Sequence, residues 1–282
     1  MRIDGKKIAS EILDKLKPSV LELKQSGITP TMAIILMGSN EASNIYVKQK
    51  GIKAKEIGAR VKVFPVKEAT TNDDLTKLVK KLDKNPKIHG IILQRPAPPN
   101  IKVDELTNLV SPDKEVDGFG EKPNYPVPVA QAVILMLKGV HRHLGSKINF
   151  ANWLKAKRIA VIGKGQTAGH PIIELLNKHG VKPWVIDSKT KNRGEILKNS
   201  DIIISAVGKR VLTSKEVKKD VVLIGVGIYS DQNGKLKGDY DDSDMEKIAS
   251  FYSPTPGGVG PLNVACLMEN LLSAAMNQTK NL

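Results

Sequence analysis

The sequence predicts an α/β protein of two domains, an N-terminal α/β domain and a C-terminal Rossmann-like dinucleotide-binding domain. Short apolar runs alternate with segments of helical periodicity, which is typical of a parallel sheet. A strand, a glycine-rich turn and a helix follow one another over residues 159–179. The length of 282 residues is too great for one ordinary core and suits two domains.

The first third of the chain shows the alternation most regularly. Ile8, Ile12 and Leu16 recur every four residues and predict a helix over residues 4–26. Residues 32–37 are apolar throughout, as in a strand that is buried on both faces. The pattern continues with a helix over 41–58 capped by Ser39 or Asn40, a strand over 60–65, a helix over 73–82 and a strand over 88–93.

Tyr46 and Lys50 lie four residues apart on the helix predicted over 41–58, so both project from one face. An aromatic ring one turn before an amine suits a flat, polar substrate, which the ring covers while the amine handles a proton. The same residues also fit an ordinary surface helix, because lysine is rarely buried. This stretch by itself favours the surface interpretation.

Two polar loops follow. Gln94 opens a proline-rich loop at the carboxyl end of a predicted parallel strand, where open α/β sheets bind ligands. Asp117 precedes Gly118 and is either a turn-former or a carboxylate directed at a ligand. The proline-rich residues 120–128 predict the crossing between domains, and a helix is predicted over 129–139.

Residues 163–168 fit the dinucleotide pattern G-x-G-x-x-G/A, with Ala168 in the last place. Gly163 allows the tight turn, and Gly165 lets the backbone approach a pyrophosphate at a helix N-terminus. The predicted elements that follow are a helix over 172–179 and strands over 183–186, 202–205 and 221–224. The turn Ala206-Val207-Gly208 stands at the end of the second of these strands, 202–205.

Asp187 leaves the choice of dinucleotide open. An acid at the end of this strand usually accepts a hydrogen bond from the free ribose 2′-hydroxyl, which favours NAD. Cationic and hydroxyl side chains nearby favour the 2′-phosphate of NADP. They are Lys164, Ser188, Lys189, Lys191 and Arg193.

Residues 253–261 are rich in glycine and proline and precede an apolar helix predicted over 262–276. They fit a hinge and a ligand-binding loop equally well.

Composition excludes several classes of protein. Lys and Arg total 44 against 29 for Asp and Glu, a net charge of +15 that suits anionic ligands. The positive charges are dispersed and aromatic residues make up only 4%, so nucleic-acid binding is not expected. No apolar run approaches the roughly 18 residues of a membrane span. A cytoplasmic protein without membrane contact is therefore expected. Cys266, the only cysteine, excludes an intramolecular disulfide, and no metal site is predicted.

Motifs of one enzyme family stand in order along the chain. They are Ile3-Asp4-Gly5-Lys6, Gly38-Ser39-Asn40, Ser43, Tyr46-Val47, Lys50, Leu93-Gln94, Pro96, Val116-Asp117-Gly118-Phe119, Gly163, Gly169-His170-Pro171, Ala206-Val207-Gly208-Lys209, Val226-Gly227-Ile228, Gly238-Asp239 and Pro256-Gly257-Gly258-Val259-Gly260-Pro261. Together they resemble the bifunctional methylenetetrahydrofolate dehydrogenase/methenyltetrahydrofolate cyclohydrolase family nearly end to end.

The resemblance implies a folate-side domain over residues 1–122, completed by the C-terminal helix 262–282, and a Rossmann domain over 123–261 with the active cleft between them. It implies oxidation of methylenetetrahydrofolate with NADP, then hydrolysis of the methenyl product to formyltetrahydrofolate. It also implies a cytosolic homodimer. NAD remains possible because of Asp187.

The resemblance assigns roles to individual residues. Lys50 matches the catalytic lysine, Gln94 its hydrogen-bonding partner, Tyr46 the ring that stacks on folate, and Asp117 the carboxylate that holds the pterin. The substrate-binding set is completed by Gly257, Gly258 and Pro261. The implied cofactor-binding residues are Gly163, Lys164, Gly165, Gly169, Asp187, Ser188, Ala206, Val207, Gly208, Gly227 and Ile228.

The chain departs from the usual family pattern at several positions. Arg95 stands where leucine is common, and Asp187 stands where a non-acidic residue is common. Most departures fall on the cofactor side, so a cyclohydrolase with weak or no dehydrogenase activity and an NAD-preferring variant are the alternatives. A basic nucleic-acid-binding protein on an enzyme-like fold is the distant one. Assays with each dinucleotide separate these alternatives.

Overall fold

The computed structural model describes residues 1–38, 41–67 and 69–279, and the side chains of residues 41 and 42 are left out. The predicted caps Ser39 and Asn40 lie outside the described residues. The helices are α1 (Gly5–Gln25), α2 (Glu41–Glu56), α3 (Asn72–Asp83), α4 (Val103–Thr107), α5 (Pro128–His143), α6 (Phe150–Lys155), α7 (Gly169–Lys178), α8 (Arg193–Asn199), α9 (Asp242–Met245) and α10 (Val259–Thr279). The strands are β1 (Thr31–Met37), β2 (Arg60–Val66), β3 (Gly90–Leu93), β4 (Ile159–Ile162), β5 (Trp184–Ile186), β6 (Ile202–Ser205), β7 (Val222–Gly225), β8 (Ile228–Ser230), β9 (Leu236–Gly238) and β10 (Phe251–Tyr252).

The chain forms two compact units. The three-stranded unit comprises Ala9–Pro128 and α10 from Val264 onward, and the five-stranded unit comprises Met1–Ile8 and Val129–Asn263. The units therefore change over after Pro128, whereas the predicted domains change over after residue 122. The predicted folate-side domain also begins at residue 1, whereas the first eight residues belong with the five-stranded unit.

Backbone pairing explains the position of the N-terminus. The Ile3 amide donates to the Tyr252 carbonyl at 2.8 Å, and the Tyr252 amide donates to the Met1 carbonyl at 2.9 Å. The first residues thus extend the sheet beside β10. This pairing joins positions about 250 residues apart in sequence, so local sequence patterns do not predict it.

The three-stranded unit has a parallel sheet of order β2-β1-β3. The central strand β1 is almost entirely buried, which explains its continuous apolar sequence. Helix α3 packs Leu75, Val79 and Leu82 into the core, as its predicted periodicity requires. The amide of Gln94 donates to the Ile35 carbonyl at 2.9 Å, so the sheet itself sets the start of the Gln94 loop.

Helix α10 is long and apolar enough, by length and composition, to cross a membrane. Of its most apolar window, 67% is buried inside the protein, as expected of a core helix. The sequence of α10 shows no long continuous apolar run because polar residues interrupt it. One of them, Asn270, is buried and donates to the carbonyls of Val116 at 2.8 Å and Pro126 at 2.9 Å. A core contact thereby reaches the residue that precedes Asp117.

The five-stranded unit has a parallel sheet of order β10-β7-β6-β4-β5 and a separate β8-β9 hairpin. Val161 of β4 stands in register with Ile204 of β6 and Val185 of β5. The carboxyl ends of these three neighbouring strands therefore share one edge of the sheet. This is the edge at which open α/β sheets bind ligands.

The predicted long elements are present in the structure. The sequence missed α4, α6, α8, α9, the β8-β9 hairpin and β10, each of seven residues or fewer. Segments this short span too few turns or alternations for a period to be recognised.

Candidate active site

Lys50 of α2 is buried, with only 6% of its surface exposed. Its Nζ donates a hydrogen bond to Oε1 of Gln94 at 2.9 Å. Burial lowers the pKa of the Lys50 ammonium below the usual lysine value, and the negative charge of Asp117 raises it in part. The interpretation of this stretch as a solvated surface helix is therefore wrong for Lys50.

Gln94 is held at both ends of its amide. Its Nε2 donates to the carbonyl oxygen of Arg95 at 2.7 Å, which directs Oε1 towards Lys50. Gln94 is itself buried. The loop after β3 thus presents a fixed acceptor to the Lys50 amine. Because this acceptor carries no charge, burial remains the main influence on the pKa of Lys50.

Tyr46 is half-buried and lies one helical turn before Lys50, on the same face of α2. Burial raises the pKa of its hydroxyl, so the ring is neutral at physiological pH. A neutral ring beside a buried amine can cover a flat ligand.

Asp117 lies in a loop whose shape depends on Gly118. Gly118 has φ of +77°, and a Cβ there would come within 2.7 Å of the Val127 amide nitrogen. Only glycine meets both conditions. The bend at this pair agrees with the turn-forming alternative through Gly118, and the charge of Asp117 also raises the pKa of Lys50.

Glu115 is a site residue that the sequence reasoning missed. It is 3% exposed, and its carboxylate accepts hydrogen bonds from the amides of Asp117 at 3.0 Å and Gly120 at 3.2 Å. Burial, and then the negative charge of Asp117, raise the pKa of the Glu115 carboxyl to about 7. The only sequence signal is the position of an acidic residue two places before Asp117. Exposed acidic residues can have the same position, so the signal does not reveal that Glu115 is buried.

The glycine-rich turn after β4 has the geometry of a dinucleotide loop. Gly163 has φ of +90°, and nothing lies within 4 Å of a Cβ built on Gly165. A Cβ on Gly169 would stand 2.1 Å from the Gly163 carbonyl oxygen. Gly169 therefore supplies the close helix packing that the pattern assigned to Ala168, which instead forms an N-cap without a side-chain hydrogen bond.

Asp187 follows β5 and pairs with Lys164 of the glycine-rich turn, with 2.8 Å between Oδ2 and Nζ. This hydrogen bond, and then one from the Lys189 amide, lower the pKa of the Asp187 carboxyl to about 2. Arg193, a predicted phosphate ligand, is instead bonded to Glu216 at 2.7 Å. Ser188 is exposed beside the pair.

Asp239 holds the second small-residue turn. This fully buried carboxylate accepts from the amides of Val207 at 2.9 Å and Gly208 at 2.8 Å, and from the Ser205 hydroxyl at 2.7 Å. Gly227 passes so close that a Cβ there would lie 2.3 Å from the carboxylate. The structure therefore places turn residues Ala206, Val207 and Gly208 near Gly227, with Ile228 next in β8. The motif Gly238-Asp239 was the signal for this role, which the sequence reasoning left unassigned.

Gly257 and Gly258 belong to a tightly packed loop of the five-stranded unit. A Cβ built on Gly5 would lie 1.9 Å from the Gly258 carbonyl oxygen. Gly257 has φ of +109°. A Cβ built on Gly258 would lie 2.6 Å from the Pro254 carbonyl oxygen, so packing requires glycine there, whereas at Gly257 the positive φ is the reason. Pro261 follows in the first turn of α10, half-buried.

Cys266 is buried in α10, and burial raises the pKa of its thiol, so it behaves as a small core residue. Within the described ranges, no three His, Cys, Asp or Glu side chains are grouped as metal ligands.

Both units match known proteins of one family. Residues 3–117 match the catalytic domain of tetrahydrofolate dehydrogenase/cyclohydrolase, and residues 139–279 match its NAD(P)-binding domain. The bifunctional protein FolD of Lacticaseibacillus casei is 35% identical over 97% of both chains.

Solved structures agree. The FolD enzyme of Campylobacter jejuni superposes with a TM-score of 0.89 at 32% identity, covering 98% of this chain and 99% of that one. The methylenetetrahydrofolate dehydrogenase-cyclohydrolase of Trypanosoma brucei, complexed with NADP and an inhibitor, superposes with a TM-score of 0.88 at 27% identity, covering 99% and 98%.

These matches cover both units and confirm the resemblance seen in the motifs. The chain belongs to the tetrahydrofolate dehydrogenase/cyclohydrolase family, and its activities are those of a methylenetetrahydrofolate dehydrogenase and methenyltetrahydrofolate cyclohydrolase in one-carbon folate metabolism.

Proposed function

We propose that Lys50 is the acid–base group of the cyclohydrolase reaction, and that Gln94, Tyr46 and Asp117 hold the amine and the folate around it. The observation that carries this proposal is the buried Lys50 amine, 2.9 Å from Gln94 Oε1. A lysine in water is almost wholly protonated at neutral pH and makes a poor base. Burial increases the neutral fraction, which can accept a proton.

The two reactions place different demands on the site. Oxidation removes a hydride from the methylene carbon and leaves a cationic methenyl group, so the protein mainly positions the reactants. Hydrolysis requires a base for the attacking water and an acid for the ring nitrogen that leaves. Neutral Lys50 takes the proton from water as the C–O bond forms. The resulting ammonium returns a proton to the nitrogen as the C–N bond breaks, and the hydroxyl on the same carbon releases its proton to solvent as the formyl C=O bond forms.

Tyr46 and Asp117 bind the substrate in this proposal. The half-buried ring of Tyr46 stacks on the flat folate. The Asp117 carboxylate accepts hydrogen bonds from the N–H donors of the pterin, which rejects analogues that lack them. Glu115 fixes the Asp117 backbone through the 3.0 Å hydrogen bond to its amide. Gly257, Gly258 and Pro261 are also proposed substrate contacts. The same loop is tightly packed within the five-stranded unit.

NADP is the proposed dinucleotide of the NAD(P)-binding domain. When bound, its nicotinamide accepts the hydride. Gly163, Gly165 and Gly169 would hold the pyrophosphate at the start of α7. The second turn with Gly227 and Ile228 would line the same sheet edge. The ion pair between Lys164 and Asp187 offsets the carboxylate charge that would otherwise repel a 2′-phosphate. The Trypanosoma brucei relative, complexed with NADP, supports this choice.

A homodimer is proposed through the β5 edge of the five-stranded sheet. Trp184 is 41% exposed and Val185 38% exposed, and β5 is the outermost strand. An uncovered edge strand with apolar side chains is a template for pairing with a second copy.

We also propose a cytoplasmic location, which fractionation of cells that express the tagged protein would test.

Lys50→Met is expected to lower cyclohydrolase kcat by at least about 100-fold while folate binding is retained, because the acid–base group is lost. The loss of methenyltetrahydrofolate absorbance, corrected for uncatalysed hydrolysis, measures the rate. Equilibrium binding of the folate measures retention. Lys48→Met, an exposed lysine of the same helix, is the control. Hydrolysis at the wild-type rate in Lys50→Met rejects the proposed role.

Glu115→Gln is expected to change how stability depends on pH. The raised folded-state pKa of about 7 means that the stability contributed by the Glu115 proton is complete below pH 4.5 and is lost as pH rises through 7. The variant lacks this loss, so its free energy of unfolding should gain on the wild type by up to about 3 kcal/mol between pH 4.5 and pH 8. Urea unfolding at several pH values measures the difference.

The control for this experiment is Glu105→Gln, an exposed acid of α4 with 70% of its side chain accessible. The difference between Glu105→Gln and the wild type, measured at the same pH values, is the reference for the substitution of an exposed acid. A difference for Glu115→Gln that does not change with pH would contradict the shifted titration.

Asp187→Ser is expected to raise the ratio of kcat/KM for NADP to that for NAD roughly tenfold, a change of about 1.4 kcal/mol. The substitution removes a negative charge near the 2′ position and frees Lys164. Initial rates of methylenetetrahydrofolate oxidation with both dinucleotides give the ratio. Glu195→Ser, an exposed acid of α8, is the control. An unchanged ratio shows that Asp187 does not act on the ribose.

Trp184→Glu is expected to convert the dimer to a monomer, because two negative charges would meet at the paired β5 edges. Sedimentation velocity of the wild type and the variant measures the mass. Leu144→Glu changes another exposed apolar residue of the five-stranded unit, 51% accessible, and should leave the dimer intact. A monomeric wild type, or a dimeric Trp184→Glu, contradicts the proposal.

A further inference from the structure

Arg95 is a charged residue with little exposure to water. Its side chain is 10% exposed, and its guanidinium donates to Oδ1 of Asp104 at 2.7 Å. The same guanidinium lies over the ring of Phe119, with 5.0 Å between Cζ and the ring centroid. A buried cation needs such partners to offset its lost hydration. Arg95 is therefore held in one position from two sides.

This position joins the two loops of the proposed folate site. The Arg95 carbonyl oxygen accepts the hydrogen bond from Gln94 Nε2 at 2.7 Å, and Gln94 accepts from Lys50. Phe119 comes two residues after Asp117, across the glycine with positive φ. One residue thus touches the partner of the catalytic amine with its backbone and the Asp117 loop with its side chain.

We propose that Arg95 is a specificity-determining positioning residue that fixes the Asp117 loop relative to the Gln94 loop, and with it the fit of the pterin end of the substrate. The proposal rests on the role given above to Asp117. A leucine at this position could form neither the ion pair with Asp104 nor the cation–π contact with Phe119.

The two parts of Arg95 predict different kinetic effects. A side-chain substitution removes the contact with Phe119 and leaves the carbonyl that orients Gln94. Substrate binding should weaken, while the rate of the bound complex should hold. A residue that only stabilises the fold would act otherwise, since partial unfolding lowers the active fraction and therefore kcat without changing KM.

A double-mutant cycle with Arg95→Leu and Phe119→Leu tests the proposal in the cyclohydrolase assay. Each single variant should raise KM for methenyltetrahydrofolate roughly five- to tenfold, with kcat within about twofold of the wild type. The double variant should show no further increase, because either substitution already breaks the shared contact. Arg95→Lys keeps the charge but lacks the planar group, so its KM should be intermediate.

Lys102→Ala is the control, because the Lys102 side chain forms an exposed ion pair with Glu105 of α4, the helix that also carries Asp104. Its KM should equal that of the wild type. KM increases that multiply in the double variant, or a fall in kcat at constant KM, overturn the proposal. If Lys50→Met keeps full hydrolysis while the Arg95–Phe119 coupling is found, the assignment of Lys50 fails and this inference stands.

Discussion

A buried amine is the constraint on which the folate-side site depends. Removing Lys50 from water is costly unless its hydrogens find acceptors, and Gln94 supplies one without a charge. A carboxylate in that place would hold the ammonium form and raise its pKa. Asp117, which acts on Lys50 through its charge, raises that pKa only in part. Burial and the charge of Asp117 together set the proton affinity of this amine.

Each unit also uses a buried carboxylate to hold a loop. Glu115 accepts from the backbone of the Asp117 loop, and Asp239 accepts from the Val207 and Gly208 amides. Amides in such turns lack the partners of regular structure, so a fixed acceptor determines their conformation. The two differ in electrostatics, because Glu115 stands near the second negative charge of Asp117. Rigidity of that loop therefore comes with a carboxyl group that titrates near pH 7.

The sequence could predict what depends on local periodicity and on motif order. The long helices, the buried strands and the glycine turn after β4 follow from such patterns. The contact between Lys50 and Gln94 joins residues 44 positions apart, and only the family resemblance suggested it. Glu115 was not identified because an acid in a loop has the same sequence signature whether it is exposed or buried. Asp239 stands in the motif Gly238-Asp239, but the motif does not show which backbone amides its carboxylate accepts from. The pairing of the N-terminus with β10 could not be predicted because it joins residues that are far apart in sequence.

The sequence leaves the choice between NAD and NADP open because it does not show which residues contact Asp187. The rule that an acid after the second strand selects NAD treats that acid as an isolated charge. Here the Asp187 carboxylate lies 2.8 Å from the Lys164 ammonium, so a ligand meets a pair that is close to neutral. A 2′-phosphate can draw Lys164 to itself at the expense of the pair, whereas a 2′-hydroxyl can donate to the carboxylate without separating it. Selectivity then depends on the energy of that exchange rather than on the presence of the acid. Water screens this pair, because 63% of the Lys164 side chain is accessible, so separating the two charges costs little.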